Sequence, residues 1–244
     1  SGIPEDKKTI TVRHLLAQTS GIPDWYQINS RSNVLDSIFS TPLRFPPGSA
    51  WHYSSAATHL LGHLITRAAK EPARDYIQRR LFSPVGIYSP KWHAPSGEIE
   101  LGGGLHIPSR EMLLLGALML QRGQWAGARV VSEGWLESSL RPSQAFNKGY
   151  GFLWWLYFPH QGPGQSGFRA FGAWGYQGQQ VFVLPEHGLI AIRTHRVEND
   201  FDSKRFERIS WRDFPEAVAA LTGASSPVFQ VKPSFHPGYA LSPF

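Results

Sequence analysis

Apolar side chains in the first 140 residues recur every three or four positions, which is the spacing of an amphipathic helix. The longest stripe consists of Ala57, Leu60, Leu61, Leu64 and Ala68. Shorter stretches of the same spacing predict further helices over residues 11–20, 33–39, 73–81, 108–122 and 132–140. The stretch from 83 to 105 is rich in Gly, Pro and Ser, so it is predicted to be irregular.

Beyond residue 144 the pattern changes to short apolar runs with β-branched and aromatic residues, which predict strands. These runs are 150–158, 168–174 and 178–195, the last being a hairpin with a tight turn at 185–188. A last helix is predicted over 213–223 and an irregular tail over 224–244. Helices followed by an antiparallel sheet indicate the α+β class and one domain over 1–244, with a mainly helical region 1–143 and a sheet region 144–223.

Composition excludes several classes of protein. The net charge is +6, but the Lys and Arg residues are scattered, so we expect no nucleic-acid binding. The chain has no cysteine, which excludes disulfides, thiol catalysis and Cys-zinc sites and leaves the compartment open between the bacterial cytoplasm and the periplasm or exterior. No apolar run approaches the ~18 residues of a membrane span. The oligomeric state stays open.

Tyr53 stands one residue before two serines at the start of the longest predicted helix. Ser54 or Ser55 can cap that helix, and the partial positive charge at the helix start favours phenolate. The ordinary tyrosine pKa is about 10, so general-base use of Tyr53 requires a further cation such as an ammonium group. Taken alone, the position fits a structural tyrosine better than a catalytic one.

Three other stretches carry weaker signals. His59 and His63 have the spacing of a zinc pair, but Leu60 stands where H-E-x-x-H has its glutamate, so we interpret them as two solvated histidines. Glycines 102–104 lack the Lys of a phosphate loop and indicate a tight turn near a site. The small residues of 172–178 permit close approach to a strand, either for an oxyanion at a sheet edge or as a bulged edge strand.

Several segments, in this order, resemble the serine β-lactamase and penicillin-recognising hydrolase superfamily, and more nearly its class-C-like esterase and 6-aminohexanoate-oligomer hydrolase branch. They are TITVRHLLAQTSGIPD, FPPGSAWHYSSAATHLLGHLI, LFSPVGI, GGGLHIPSREMLLLGALMLQRGQWAGARVVSEGWL, YGFLWW and the strand pair after Gly172. The resemblance covers about residues 9–195. It implies a β-lactamase/transpeptidase-like fold, a helical region beside an antiparallel sheet that helices cover.

The resemblance also implies an acyl-enzyme mechanism, in which the serine of an S-x-x-K motif attacks and a Lys and a Tyr share its proton. Tyr53 then corresponds to the tyrosine of the Y-x-N motif, and Ser55 stands at its Asn position. Trp25 and Tyr26 are expected to wall the substrate cleft. No cofactor or metal is implied.

The third motif, K-T-G in β-lactamases, falls on 173–175, so the cationic residue is absent and recognition of a β-lactam carboxylate is not expected. Trp174 and Gly175 are the substrate-binding residues that the resemblance places there. The backbone N–H of Tyr176 is the expected oxyanion donor.

No serine in the chain has a lysine three residues later. We therefore expect the nucleophile helix and the N-terminal strands of the sheet to lie upstream of Ser1, and this chain alone to be inactive. The prediction is a C-terminal part of a serine hydrolase of small amides or esters. Two alternatives stay open: a non-catalytic binding relative, and a zinc enzyme that uses His59 and His63.

Overall fold

The computed structural model describes residues 3–24, 34–94, 97–157, 170–175, 178–195 and 214–221. These residues form two compact units, of which the first comprises 3–82 and 88–106 and the second 83–87 and 107–221. Trp25, Tyr26 and Tyr176, to which the sequence assigns site roles, lie outside the described residues, as does the predicted tail.

The first unit is mainly helical. It contains a 3-10 turn at Glu5–Lys7, helices α1 (Val12–Leu16), α2 (Val34–Ser40), α3 (Ser55–Ala69) and α4 (Ala73–Ile77), a π-helical turn at Gln78–Phe82, and the paired strands β1 (Lys91–Trp92) and β2 (Leu105–His106). Helix α1 begins at the predicted cap, because the Thr11 hydroxyl accepts the His14 N–H at 3.2 Å. The His14 ring nitrogen Nδ1 in turn accepts the Thr11 N–H at 3.3 Å, which completes a capping box.

The second unit holds the sheet. Its helices are α5 (Ser83–Val85), α6 (Ser109–Leu120), α7 (Glu133–Ser139) and α8 (Phe214–Leu221), and its small hairpin is β3 (Gln124–Trp125) with β4 (Ala128–Arg129). The four-stranded antiparallel sheet has the order β5 (Trp155–Tyr157), β6 (Ala170–Trp174), β7 (Gln180–Leu184), β8 (Leu189–Arg193). A 3-10 turn at Pro185–His187 joins β7 to β8, so the predicted hairpin is confirmed.

One face of the sheet packs against α6. The buried side chains of this face are Leu156, Phe171, Val181 and Val183, and Met112, Met119 and Leu120 from α6 pack on them. Gly116 lets α6 approach closely, since a Cβ atom there would lie 2.7 Å from Ile190 Cγ2. The opposite face carries an aromatic group, Trp155, Tyr157, Trp174 and Phe182. The α+β class and the helix-covered antiparallel sheet are therefore confirmed.

Two sequence expectations differ from the structure. Strand β6 is not an edge strand, since β5 pairs with it at 170–172 and β7 at 171–174. The segment predicted as irregular contains β1 and β2, which pair Lys91 with His106. A strand of two residues is too short to show the alternation of apolar and polar positions by which a strand is recognised in a sequence.

None of the helices in the described ranges is both long enough and apolar enough to cross a membrane.

Candidate active site

Tyr53 immediately precedes the first capped turn of α3. Ser54 is the N-cap, with extended backbone (φ −145°, ψ 109°), and its hydroxyl accepts the Ala57 N–H at 3.0 Å. The sequence left the cap open between Ser54 and Ser55, and the structure assigns it to Ser54. The phenol is thus attached to the fixed end of a 15-residue helix.

The segment 18–24 is hydrogen-bonded to both residues that follow Tyr53. Gln18 Oε1 accepts the backbone N–H of Ser54 at 2.6 Å, and Asp24 Oδ1 accepts that of Ser55 at 2.8 Å. The Ser54 hydroxyl donates to the carbonyl oxygen of Pro23 at 3.1 Å. These groups are buried, so the N–H groups of Ser54 and Ser55 cannot be hydrogen-bonded to water. The side chains of one loop provide their hydrogen-bond acceptors instead.

Gln18 also holds the residue before Tyr53. Its carbonyl oxygen accepts the His52 N–H at 2.9 Å, and its side-chain amide donates to Thr58 Oγ1 at 2.9 Å. Gln18 adopts a left-handed backbone conformation (φ 59°) and is fully buried. One residue therefore binds the backbone on both sides of Tyr53.

The electrostatics of Tyr53 differ from the sequence expectation. Desolvation of its hydroxyl and then the Asp24 carboxylate raise its pKa to about 12, and a hydrogen bond from the Ser55 hydroxyl opposes them. Burial of the hydroxyl, and then the carboxylate of Asp24, outweigh the partial positive charge of the helix start, so phenolate is not favoured here. At neutral pH the phenol therefore keeps its proton, and it can act as a base only after it has lost that proton, which requires a cation that offsets burial and Asp24.

The glycine-rich turn packs against the first residue of α3. A Cβ atom at Gly102 would lie 2.3 Å from the carbonyl oxygen of Ser55, so only glycine fits. The turn is tight, with the Gly104 N–H donating to the Glu100 carbonyl oxygen at 2.8 Å. This agrees with the predicted tight turn near a site and brings a third segment of the chain to the start of α3.

The interpretation of His59 and His63 as two solvated histidines is wrong for His59, which is 1% exposed. Segment 97–104 packs on this part of α3, where a Cβ atom at Gly62 would lie 3.4 Å from the Ile99 carbonyl oxygen. The two rings meet edge to face, with centroids 5.1 Å apart. Desolvation, and then the neighbouring His63, lower the pKa of His59.

The described residues give the histidine pair no third ligand. No group of three or more His, Cys, Asp or Glu side chains within those ranges can hold a metal ion.

The third-motif residues belong to the second unit. Trp174 is half-buried and stacks on Tyr157 with ring centroids 6.3 Å apart. The Gly175 N–H donates to the Gln179 carbonyl oxygen at 2.8 Å. Trp174 thus contributes to the aromatic face of the sheet, and the Gly175 N–H is engaged within its own turn.

Sequence reasoning missed the roles of Gln18 and Asp24. Both lie in the stretch QTSGIPD, where the sequence places Gln18 in the last turn of the helix predicted over 11–20 and Asp24 after it, and gives neither a partner. The available signal was chemical: a polar side chain on each side of a T-S-G turn can satisfy helix N–H groups elsewhere in the chain.

Comparisons with known proteins agree with this picture. Residues 3–210 match the Beta-lactamase family model. The chain is 30% identical to penicillin-binding protein 4* of Bacillus subtilis (strain 168) over 90 residues, 32% of this chain and 20% of that protein. It is 30% identical to Esterase EstB of Burkholderia gladioli over 97 residues, 32% of this chain and 24% of the relative.

A solved structure shares the fold. A beta-lactamase from Mycobacterium bovis has a TM-score of 0.62 and 20% identity, covering 88% of this chain and 75% of that one. The matched part spans about a quarter or less of the two curated relatives. The family model covers most of the chain, and on that basis the chain belongs to the beta-lactamase family.

Proposed function

We propose that this chain forms part of a serine hydrolase of small esters or amides, in which Tyr53 carries a proton during acyl transfer. The observation that supports this role is the way Gln18 binds the backbone on both sides of Tyr53 while Asp24 binds the next N–H group. A phenol that only filled space would not require three polar anchors on the backbone of the residues next to it. A group that must meet a reacting atom does require fixed geometry.

The chemistry requires two acyl transfers. A serine hydroxyl attacks the carbonyl carbon of the substrate, the bond to the alcohol or amine breaks, and the leaving group takes up a proton. Water then attacks the acyl-enzyme, the acid is released, and the serine regains its proton. Tyr53, as a neutral phenol, is suited to give its own proton to the leaving group while a neighbouring lysine takes the serine proton and passes a proton to Tyr53, so that one proton leaves the serine and one reaches the leaving group.

The nucleophile is proposed to come from an S-x-x-K segment that is not among these 244 residues, since no serine here has the required lysine. The ammonium of that lysine is also the cation that would offset Asp24. Oxyanion stabilisation is assigned to the N–H of the nucleophile and to that of Tyr176.

The proposed substrates are neutral at the position where β-lactams carry a carboxylate. Ala173 stands where the K-T-G motif has its lysine, so the strand offers no cation there. Esters are the first choice, because one of the relatives is named Esterase EstB.

Two experiments test the proposal in sequence. Reading the gene upstream of the codon for Ser1 should reveal S-x-x-K. Protein expressed from the complete gene should then hydrolyse p-nitrophenyl acetate, and mass spectrometry after acid quenching should find one acetyl group on that serine. Absence of the motif, or of both turnover and adduct, would reject hydrolysis in favour of a non-catalytic binding relative.

A further inference from the structure

Asp24 is a buried carboxylate placed at the start of α3. It is 2% exposed, and its Oδ1 atom accepts the backbone N–H of Ser55 at 2.8 Å. That N–H is one of the donors that a helix start leaves without an intrahelical partner, and it lies in the region of partial positive charge. The position is therefore favourable for one negative charge.

The same carboxylate acts on the phenol two residues before Ser55 in the chain. The Ser55 hydroxyl hydrogen-bonds to Tyr53, and the Ser55 backbone hydrogen-bonds to Asp24. Ser55 therefore links the carboxylate to the phenol. The charged group that acts on Tyr53 among the described residues is Asp24, and its sign opposes a second negative charge.

We propose that Asp24 is a positioning residue for Tyr53. Asp24 fixes the start of α3 through its hydrogen bond to Ser55, and its carboxylate is the negative charge that the phenol faces. The inference rests on the proposed function only where it treats Tyr53 as a proton carrier. Asp24 and the helix start together keep one negative charge at this end of α3. Tyr53 consequently begins the reaction with its proton, and gives it up most easily when a cation arrives next to Asp24.

The test is a titration of Tyr53 that requires no turnover. The eight tyrosines are replaced biosynthetically by 3-fluorotyrosine, a more acidic phenol, and followed by 19F NMR against pH. The resonance that Tyr53→Phe removes is that of Tyr53. Asp24→Asn keeps an oxygen that accepts the Ser55 N–H and removes the charge, so the Tyr53 midpoint should fall by about 1 pH unit.

Two further variants test the direction of the shift in the Tyr53 midpoint and provide a control for it. Ser55→Ala removes the hydroxyl that stabilises phenolate, so it should move the Tyr53 midpoint upward. Glu98→Gln neutralises another carboxylate of the same unit, one that Thr66 binds at 3.0 Å, and should leave the Tyr53 midpoint in place. A folded Asp24→Asn protein with an unshifted Tyr53 midpoint overturns the proposal.

Ser55→Ala provides the readout in case Asp24→Asn does not fold. A folded Ser55→Ala protein with an unshifted Tyr53 midpoint also overturns the proposal. Failure of the esterase assay with a normal titration would reject the proposed function and leave the link between Asp24 and Tyr53 intact. In an active full-length enzyme, Asp24→Asn should shift the pH profile of kcat in the direction in which the Tyr53 midpoint moves.

Discussion

Gln18 Oε1 lies 2.6 Å from the backbone nitrogen of Ser54, which connects a loop residue to the N-cap of a helix 36 positions later in the chain. The backbone carbonyl oxygen of Gln18 accepts the backbone N–H of His52. Tyr53, between these two residues, is therefore placed by a partner that is remote in sequence. This contact is the basis of the first prediction.

Gln18→Ala should lower the free energy of unfolding by about 1–3 kcal/mol, because the buried N–H of Ser54 and the hydroxyl of Thr58 lose a partner. Urea denaturation followed by circular dichroism measures the change. The matched control is Gln124→Ala. The Gln124 side chain is exposed, so this substitution should change the free energy of unfolding by less than about 0.5 kcal/mol. Equal effects of the two substitutions would contradict the anchoring role of Gln18.

Two neighbouring glycines give a sharper comparison. Gly102→Ala places a Cβ atom 2.3 Å from the Ser55 carbonyl oxygen, whereas Gly103→Ala meets no atom within 4 Å. Overpacking of this kind costs about 1–3 kcal/mol, so only Gly102→Ala should lower the urea midpoint clearly. If Gly103→Ala were the more harmful change, the packing of this turn on α3 would be described incorrectly.

The buried histidine predicts a pH dependence of stability. The pKa of His59 is lowered in the folded protein, so the unfolded chain binds more protons as the pH falls below about 6.5. The stability is fully present above that pH and is lost as the pH falls toward the folded pKa. His59→Gln should reduce the loss of stability between pH 7 and pH 5, measured by urea denaturation at each pH.

His187→Gln is the control for this experiment, because His187 is an exposed residue in the turn before β8. It should leave the slope of stability against pH unchanged. A His59→Gln variant with the wild-type slope would show that His59 is protonated equally in the folded and unfolded states.

The elements that the sequence predicted well are those fixed by local chemistry. The β7–β8 hairpin follows from two apolar runs around Pro185, and α1 follows from Thr11 as its cap. The polar anchors of Tyr53 could not be predicted in this way. Gln18 reaches Ser54 over 36 residues and Asp24 reaches Ser55 over 31, and such pairs have no periodicity along the chain.

The burial of His59 shows the same difference between local and long-range information. Its place on α3 is readable from the spacing of apolar residues, but segment 97–104, which packs on that part of the helix, follows more than 30 residues later. The direction in which the pKa of Tyr53 shifts was mispredicted for a related reason, because the burial of its hydroxyl and the nearby Asp24 carboxylate depend on residues remote in sequence. The helix start was correctly expected to favour an anion, and the structure provides Asp24 as that anion.

The role of Tyr53 is tested most directly by kcat/KM for p-nitrophenyl acetate, measured on protein that carries the S-x-x-K segment. Tyr53→Phe removes only the hydroxyl and should lower kcat/KM by about 10²–10⁴-fold, the usual range for a proton-transfer group. Tyr88→Phe, at a side chain that is 73% exposed, should leave it unchanged. Tyr176→Ala should lower kcat/KM much less than Tyr53→Phe does, since the proposed role of Tyr176 uses only its backbone N–H. A folded Tyr53→Phe enzyme with the wild-type kcat/KM would contradict the proton-carrying role of this phenol.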